Sequence, residues 1–188
     1  MSESGDKRRR SDLDLFVLAL IESGVSTPYE LHKMAGLSPG ASIPVLGRLV
    51  ETGLIRQLKA GVRRRVGHKT TAGGRKHLES GWRALVDAGP SGDTDADLRV
   101  ALLAQWVGGD RRWAVEFLRA AAAKKLELMR AAEETPDEAS SSALAVCYRQ
   151  MRANRARVLL KGEYAAASAL ADALPRNLSR RRSKGAAK

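Results

Sequence analysis

A cluster of basic side chains in the first half of the chain is the strongest candidate for chemistry. It surrounds a two-residue turn signal, Ala60 and Gly61, and consists of Lys59, Arg63, Arg64, Arg65, His68 and Lys69. Side chains alternate across a strand, so we expect Arg63 and Arg65 to point one way and Arg64 the other. Such an arrangement can bind a row of phosphates or enter a narrow minor groove of DNA. A run of solvated charges is the alternative reading.

The charge of the whole chain also fits a polyanionic partner. Lys and Arg number 33 against 21 acidic residues, which gives a net charge of +12. Residues 1–90 carry 15 basic and 9 acidic residues, residues 91–172 carry 12 of each, and the remaining 6 basic residues lie in the tail. We therefore expect different parts of the chain to have different partners.

Other kinds of site lack the residues they would need. His32, His68 and His77 are scattered and Cys147 is the only cysteine, so the spacing of a metal site is missing. No arrangement of Ser and His suggests a nucleophile, and no glycine-rich loop follows a strand. We expect neither an enzyme nor a cofactor. The single cysteine, and apolar runs too short to span a bilayer, favour a soluble, cytoplasmic and nucleoid-associated protein with no membrane partner.

Two short helices are predicted to precede the basic cluster. The first should run from Asp12 or Leu13 to about Ser23. Thr27 and Pro28 are typical of the start of the second, which should turn Leu31, Met34 and Ala35 inward and end at Gly36. Tyr29 and Lys33 on this helix are candidates for contacts with flanking phosphates, with packing as an equal alternative for Tyr29.

The third helix is the candidate recognition helix of a helix-turn-helix unit. Ser38 and Pro39 predict its start and Gly53 its end, and a buried stripe is expected from Ile43, Leu46, Leu49 and Val50. Ser38, Ser42 and Arg48 are expected to face outward, where hydroxyls and a bidentate Arg can contact phosphates or bases. Ser38 could instead serve only as a cap. Pro44 implies that the helix bends, or that it starts at Ser42.

A strand, a turn and a second strand should follow this helix, giving the β-hairpin wing of a winged helix. Thr70 or Thr71 then predicts a fourth helix, whose glycines Gly73, Gly74 and Gly81 suggest a loose first turn.

The second half of the chain differs from the first in composition and in the length of its predicted helices. After a Gly-, Pro- and Asp-rich linker come long apolar helices, which in a chain of this size often pair with a second copy. The candidate dimer contacts are Leu118, Leu126, Met129, Leu144, Tyr148 and Met151.

These residues together resemble the PadR family of bacterial transcriptional regulators. The segment PYELHKM is similar to the family's Tyr-Glu-Leu signature, and SPGASIPVLGRLVETGLI is similar to its Ser-Pro-Gly, Pro-x-Leu-x-x-Leu and Gly-Leu-Ile pattern. The helices after residue 96 resemble the C-terminal region of the larger members. The resemblance covers about residues 12–172 and implies a dimeric DNA-binding regulator. Two positions depart from the family: Ile43 replaces a common aromatic residue and Ser42 a common aliphatic one.

The sequence thus predicts a mainly α protein in five parts. These are a disordered basic arm (1–11), a winged helix-turn-helix domain (12–88), a linker (89–95), a helical dimerisation domain (96–174) and a disordered basic tail (175–188). The expected function is sequence-specific regulation of transcription, with repression as the expected mode, by a homodimer on a near-palindromic stretch of double-stranded DNA. A protein-docking adaptor and a non-specific nucleoid-type DNA binder are the alternatives. The operator, the target genes and any small-molecule effector are left undetermined.

Overall fold

The computed structural model describes residues 3–58, 66–133, 143–176 and 178. Within these residues the helices are α1 (Glu3–Glu22), α2 (Pro28–Ala35), α3 (Pro39–Glu51), α4 (Ala72–Asp87), α5 (Thr94–Gly108), α6 (Arg111–Glu133) and α7 (Ala143–Ala173). Two short strands, β1 (Ile55–Gln57) and β2 (His68–Thr70), lie between α3 and α4 and pair in an antiparallel sheet. The prediction of a mainly helical chain with a small antiparallel sheet is confirmed, and the arrangement is compatible with a winged helix.

Local capping signals fix helices α2 and α3 where the sequence predicts them. The Thr27 hydroxyl accepts a hydrogen bond from the Glu30 N–H at 3.2 Å, and the Glu30 carboxylate accepts one from the Thr27 N–H at 3.0 Å. Gly36 ends α2 with a left-handed φ of 68°, a conformation that glycine adopts at low cost. Ser38 then caps α3 and Pro39 takes its first position. The turn between the two helices is therefore only Gly36 to Ser38, as a helix-turn-helix requires.

The capping box makes the stability of α2 depend on pH. The Ser26 N–H donates to the Glu30 carboxylate at 2.8 Å, and this bond, with that from Thr27, lowers the pKa of Glu30 below its ordinary value. Since the folded pKa is lowered, the stabilisation is present above the unfolded pKa of about 4.3 and is lost as pH falls through the folded pKa. We expect Glu30→Ala to lower the free energy of unfolding by about 1 kcal/mol at neutral pH. Urea denaturation should show that the difference in free energy of unfolding between the parent protein and Glu30→Ala becomes smaller below about pH 4. A difference that does not change with pH would contradict this account.

The paired strands form a short ribbon whose base is fixed to α4. Ile55 lies opposite Thr70 and both are buried, while the Leu58 N–H donates to the Gly67 carbonyl at 2.8 Å beyond the last strand pair. Thr71 caps α4 by accepting from the Gly74 N–H at 3.0 Å, and its hydroxyl donates to the Gly53 carbonyl at 2.8 Å. The expected loose first turn of α4 is therefore wrong, because this turn is capped and packs on the end of α3.

Neighbouring glycines at the start of α4 should respond oppositely to alanine. A methyl group on Gly74 would overlap the Leu54 carbonyl oxygen, whereas one on Gly73 would meet only the Thr71 hydroxyl at 3.7 Å. Overpacking costs typically 1 to 3 kcal/mol, so we expect Gly74→Ala to lower the free energy of unfolding by about 3 kcal/mol. Gly73→Ala should raise it by roughly 0.5 to 1 kcal/mol, because alanine loses less backbone entropy in a helix. Urea denaturation of both variants measures this, and equal effects would contradict it.

Helix α1 starts earlier than the sequence predicts. It begins at Glu3 rather than at Asp12 or Leu13, so the basic run at residues 7–10 lies on helical backbone. Lys and Arg are good helix formers, and a nucleated helix extends at low cost. The prediction of a disordered arm is therefore wrong for residues 3–11.

One hydrophobic core joins the two halves of the chain. It combines buried side chains of α1, α3 and α4 with those of α5, α6 and α7, among them Leu18, Leu49, Leu78, Leu103 and Leu118. Helix α5 packs against α1, α4 and α6. Residues 89–95, predicted as a linker, therefore connect parts that share a core. None of the helices among the described residues combines the length and apolar character of a membrane span.

Polar contacts hold residues 89–95 against α5 and α6. The Asp97 carboxylate accepts from the Ser91 N–H at 2.7 Å and from the Ser91 hydroxyl at 2.9 Å. Lys124 on α6 donates to the Pro90 carbonyl at 2.7 Å.

A buried ion pair connects α1 with α5. Asp12 on α1 pairs with Arg99 on α5 at 2.7 Å, and burial raises the pKa of Asp12 more than Arg99 lowers it. Such a pair fixes the relative position of α1 and α5 more than it stabilises the fold.

Candidate nucleic-acid interface

Helix α3 presents one open face to solvent. The open face consists of Gly40, Ile43, Pro44, Gly47 and Glu51, which are all exposed; apart from the adjacent pair Ile43 and Pro44, neighbours on this face are three or four residues apart. The opposite side, with Val45, Leu46 and Leu49, is buried in the core. The helix continues through Pro44, so the predicted alternative start at Ser42 is wrong. Ile43 was expected in the buried stripe but is 56% exposed.

Ser42 lies in the core and not on the open face. Its side chain is 0% exposed and its hydroxyl has no hydrogen-bond partner in the described part of the chain. It lies three and four residues before Val45 and Leu46, so it occupies the first position of the buried stripe. The prediction that Ser42 faces outward to contact DNA is therefore wrong.

Arg48 is held by an ion pair within the chain. Its Nε and terminal nitrogen donate to the two oxygens of Asp14 on α1, at 3.1 Å and 2.6 Å, in a bidentate geometry. The Asp14 carboxylate raises the pKa of Arg48 above its usual range. The predicted role in reading a base would require this pair to break. Arg48 is better described as a brace between α1 and α3.

The remaining candidates on α2 and α3 are at the surface. Ser38 is exposed, and its hydroxyl accepts from the Ala41 N–H at 3.2 Å, so its observed role is that of a helix cap. Tyr29 and Lys33 are exposed on α2, close in sequence to the turn that leads into α3. Met34, expected inside, is also exposed because only Leu31 of this helix is buried.

The ribbon carries a like-charged pair, of which the sequence analysis named Lys69 but not Arg56. Arg56 on β1 and Lys69 on β2 are direct cross-strand partners, and both side chains are exposed. Neither makes an ion pair with any other described residue. Like charges directly opposite each other destabilise a strand pair, so the arrangement favours an anionic partner. A sequence signal was available for Arg56: Ile55 is apolar, and alternation along a strand places its neighbour on the opposite side.

His68 is part of the packing between the ribbon and α2. Its side chain is almost fully buried, and the ring Nδ1 lies 3.1 Å from the Ser26 carbonyl oxygen. The backbone N–H of His68 donates to the same oxygen at 2.9 Å. The prediction that it contacts DNA is therefore wrong, because its position on β2 turns it toward the core. The predicted contacts Lys59, Arg63, Arg64 and Arg65 lie outside the described residues.

The exposed apolar residues of the C-terminal half concentrate on α7. Its exposed stripe consists of Leu144, Tyr148, Met151, Arg155 and Val158, at spacings of four, three, four and three. The three predicted dimer contacts in this stripe, Leu144, Tyr148 and Met151, are therefore at the surface. Leu118 is 0% exposed inside the core, so its predicted role in a dimer is wrong. Leu126 and Met129 are half-buried beside α7.

An apolar cavity of about 260 Å³ lies between α1 and α5. Its walls include Phe16, Leu20, Leu103 and Trp106, and Leu178 closes one side. Trp113 lies elsewhere, with its ring edge-to-face on Trp82 at a centroid distance of 6.4 Å. The two tryptophans of this half therefore have separate surroundings.

The described residues contain no group of three or more His, Cys, Asp and Glu side chains that could hold a metal ion. Comparisons with protein-family models, with curated proteins and with solved structures each find no match to this chain.

Proposed function

We propose that this protein is a sequence-specific DNA-binding regulator of transcription that acts as a homodimer, similar to PadR regulators. The observation that carries the proposal is that α3, with its exposed face, is followed directly by a ribbon with exposed basic side chains. Helix α3 leaves a whole face open after a tight turn, and the ribbon that follows it exposes the like-charged pair Arg56 and Lys69. An open helix beside exposed cations is the combination that a winged helix uses on DNA.

In this proposal the open face of α3 enters the major groove. Arg56 and Lys69 contact phosphates at the edge of that groove, and Lys33 on α2 contacts a phosphate on the other side of α3. Arg56 and Lys69 replace the buried His68 among the proposed contacts, and Arg48 acts by holding α3 against α1. Phosphate contacts supply affinity and orientation without reading the sequence.

Dimerisation is proposed to use the exposed stripe of α7. The positions of this stripe recur every 3.5 residues on average and four of the five are apolar, which is close to the repeat of a helix that pairs with another helix. Leu144, Tyr148, Met151 and Val158 would lose contact with water in such a pair, while the aliphatic stem of Arg155 would pack and its charged end would reach the rim. Two copies would place their α3 helices on two half-sites, so the operator should be a near-palindrome.

Selection of DNA tests the proposal. Genomic fragments retained by the purified protein at physiological salt are sequenced and compared with the input. We expect enrichment of fragments that share an inverted repeat with half-sites about one helical turn apart. A retained pool identical to the input, or no retention, would overturn the proposal, and the first of these results would favour a nucleoid-type binder.

A protein-docking adaptor is the second candidate, and one observation favours it. Ile43 and Pro44 on α3 and Met34 on α2 are apolar and exposed, as at many protein-binding surfaces. Arg56→Glu with Lys69→Glu separates the two candidates, because charge reversal should abolish retention of DNA and leave docking on the apolar residues largely intact.

A further inference from the structure

The open face of α3 offers no side-chain hydrogen-bond donor along the turns that would lie deepest in a groove. From Gly40 to Gly47 its exposed residues are Gly40, Ile43, Pro44 and Gly47. The one hydroxyl in this stretch belongs to Ser42 and is buried. A face of this composition has no group that could form the bidentate pairs by which Arg or Asn recognises guanine or adenine.

The major groove contains one apolar feature that such a face can recognise. Each base pair presents hydrogen-bonding groups there, and thymine adds its C5-methyl group, which proteins read through apolar contact. Ile43 and Pro44 are adjacent on the open face and are the only exposed apolar side chains in the Gly40 to Gly47 stretch that extend beyond Cβ. Their chemistry therefore matches thymine and no other base.

The glycines of the same face indicate a partner that approaches closely. Gly47 has an ordinary helical conformation, and a methyl group added there would meet nothing within 4 Å. Glycine inside a helix is less stable than alanine, so the fold itself does not explain its presence. A surface that touches the helix backbone does explain it, because a side chain at this position would hold that surface away.

The charges around the face are those expected for DNA. Lys33 lies on the neighbouring helix, and Arg56 and Lys69 lie on the ribbon that follows α3. The acidic residue of the open face, Glu51, is at the C-terminal end of the helix, about 10 Å along the axis from Pro44. Exposed basic side chains thus lie on the elements that precede and follow α3 in the chain.

We propose that Ile43, together with Pro44, recognises thymine methyl groups in the major groove and so determines a thymine in each operator half-site. This inference rests on the proposed function, since it requires α3 to bind in the groove. It assigns specificity to a residue for which the resemblance gives no precedent, because Ile43 replaces the family's common aromatic residue.

Deoxyuridine tests the inference, because it differs from thymine only in lacking the methyl group. In a selected operator each thymine is replaced in turn by deoxyuridine, and the dissociation constant is measured by fluorescence anisotropy. We expect about a fourfold loss for one methyl group that Ile43 contacts, and roughly fifteenfold when both half-sites are changed. In Ile43→Ala the ratio between thymine and deoxyuridine DNA should fall toward one.

Lys33→Ala is the matched control for this coupling. It should weaken binding to both DNAs by the same factor, since a phosphate contact does not sense the methyl group. Equal affinity for every deoxyuridine operator, or a ratio unchanged by Ile43→Ala, would overturn the inference while leaving the proposed function standing. Failure of the parent protein to prefer any DNA would overturn both.

Gly47→Ala gives a second and independent readout. It should raise the midpoint of thermal unfolding by about 1 to 4 °C and at the same time weaken operator binding. The higher midpoint shows that weaker binding does not come from a damaged fold. Unchanged operator binding by this variant would contradict close approach of DNA to α3.

Discussion

Replacing both Arg56 and Lys69 by glutamine is expected to lower DNA affinity on the order of 30-fold per protomer at about 0.15 M salt. Each phosphate contact releases counterions, so the logarithm of the binding constant falls with the logarithm of salt concentration by about 0.9 per contact. Loss of two contacts per protomer should make this slope shallower by about 1.8, or by about 3.6 for a dimer. The fold should not suffer, because the two side chains are exposed like charges that face each other across the ribbon.

The control for this variant removes the same charge from another surface. Arg119 and Arg130 are exposed on α6, in the C-terminal half, and changing both to glutamine lowers the net charge by the same amount. We expect this variant to keep the parent slope within about 0.5. The salt titration of all three proteins is the measurement. Equal slopes for the two double variants would mean that DNA senses only the overall charge, and the proposed interface would be wrong.

Two glutamates in the exposed stripe of α7 are expected to convert a dimer into a monomer. Tyr148 and Met151 are each 65% exposed in the single chain, and a paired helix would bury them. Each carboxylate taken out of water costs several kcal/mol, and a dimer would have to bury four of them while Arg155 of each copy keeps its charged end at the rim. Sedimentation should therefore show a mass near 20.3 kDa for Tyr148→Glu with Met151→Glu and twice that mass for the parent.

Loss of the dimer should also weaken binding to the full operator by at least about 100-fold, because the second half-site is then no longer bound within one complex. Gln150→Glu with Asn154→Glu is the matched control. Both residues are exposed on α7 but lie to the side of the stripe, so the same two charges should leave the mass and the affinity unchanged. A parent protein that sediments at the mass of one chain would contradict the proposed dimer.

The elements that the sequence predicted well are those fixed by local interactions. Thr27 with Glu30, and Ser38 with Pro39, satisfy the first N–H groups of α2 and α3 within a few residues of themselves. Gly36 and Gly53 end these helices because they adopt positive φ. Such signals do not depend on the rest of the fold, so the helix-turn-helix spacing could be read directly from the chain.

The orientation of α3 could not be predicted in the same way. Its apolar residues fit two stripes one position apart, one starting at Ile43 and one starting at Ser42, and hydrophobicity favours the first. The fold uses the second, which buries Ser42 and exposes Ile43. Of the three predicted DNA contacts on this helix, Ser42 lies in the core for that reason. The ion pair between Arg48 and Asp14 could not be predicted either, because the two residues are 34 positions apart in the sequence.

The predicted division of the chain into a DNA-binding unit and a dimerisation unit likewise depended on composition alone. The composition of residues 89–95 is that of a linker, but Asp97 and Lys124 bind its backbone, and α5 completes the core under α1 and α4. Helices α1 and α3 are therefore connected to α5 to α7 through one packed core. Binding of DNA at α3 and pairing through α7 would act on elements that share this core.

Binding of the selected operator and of a scrambled duplex of equal composition, measured across salt concentrations, tests the central claim most directly. The account predicts a log-log slope of about −5 to −9 for the operator, and an affinity at physiological salt at least about 1000-fold above that for the scrambled duplex. A slope near zero, or equal affinity for the two duplexes, would contradict it.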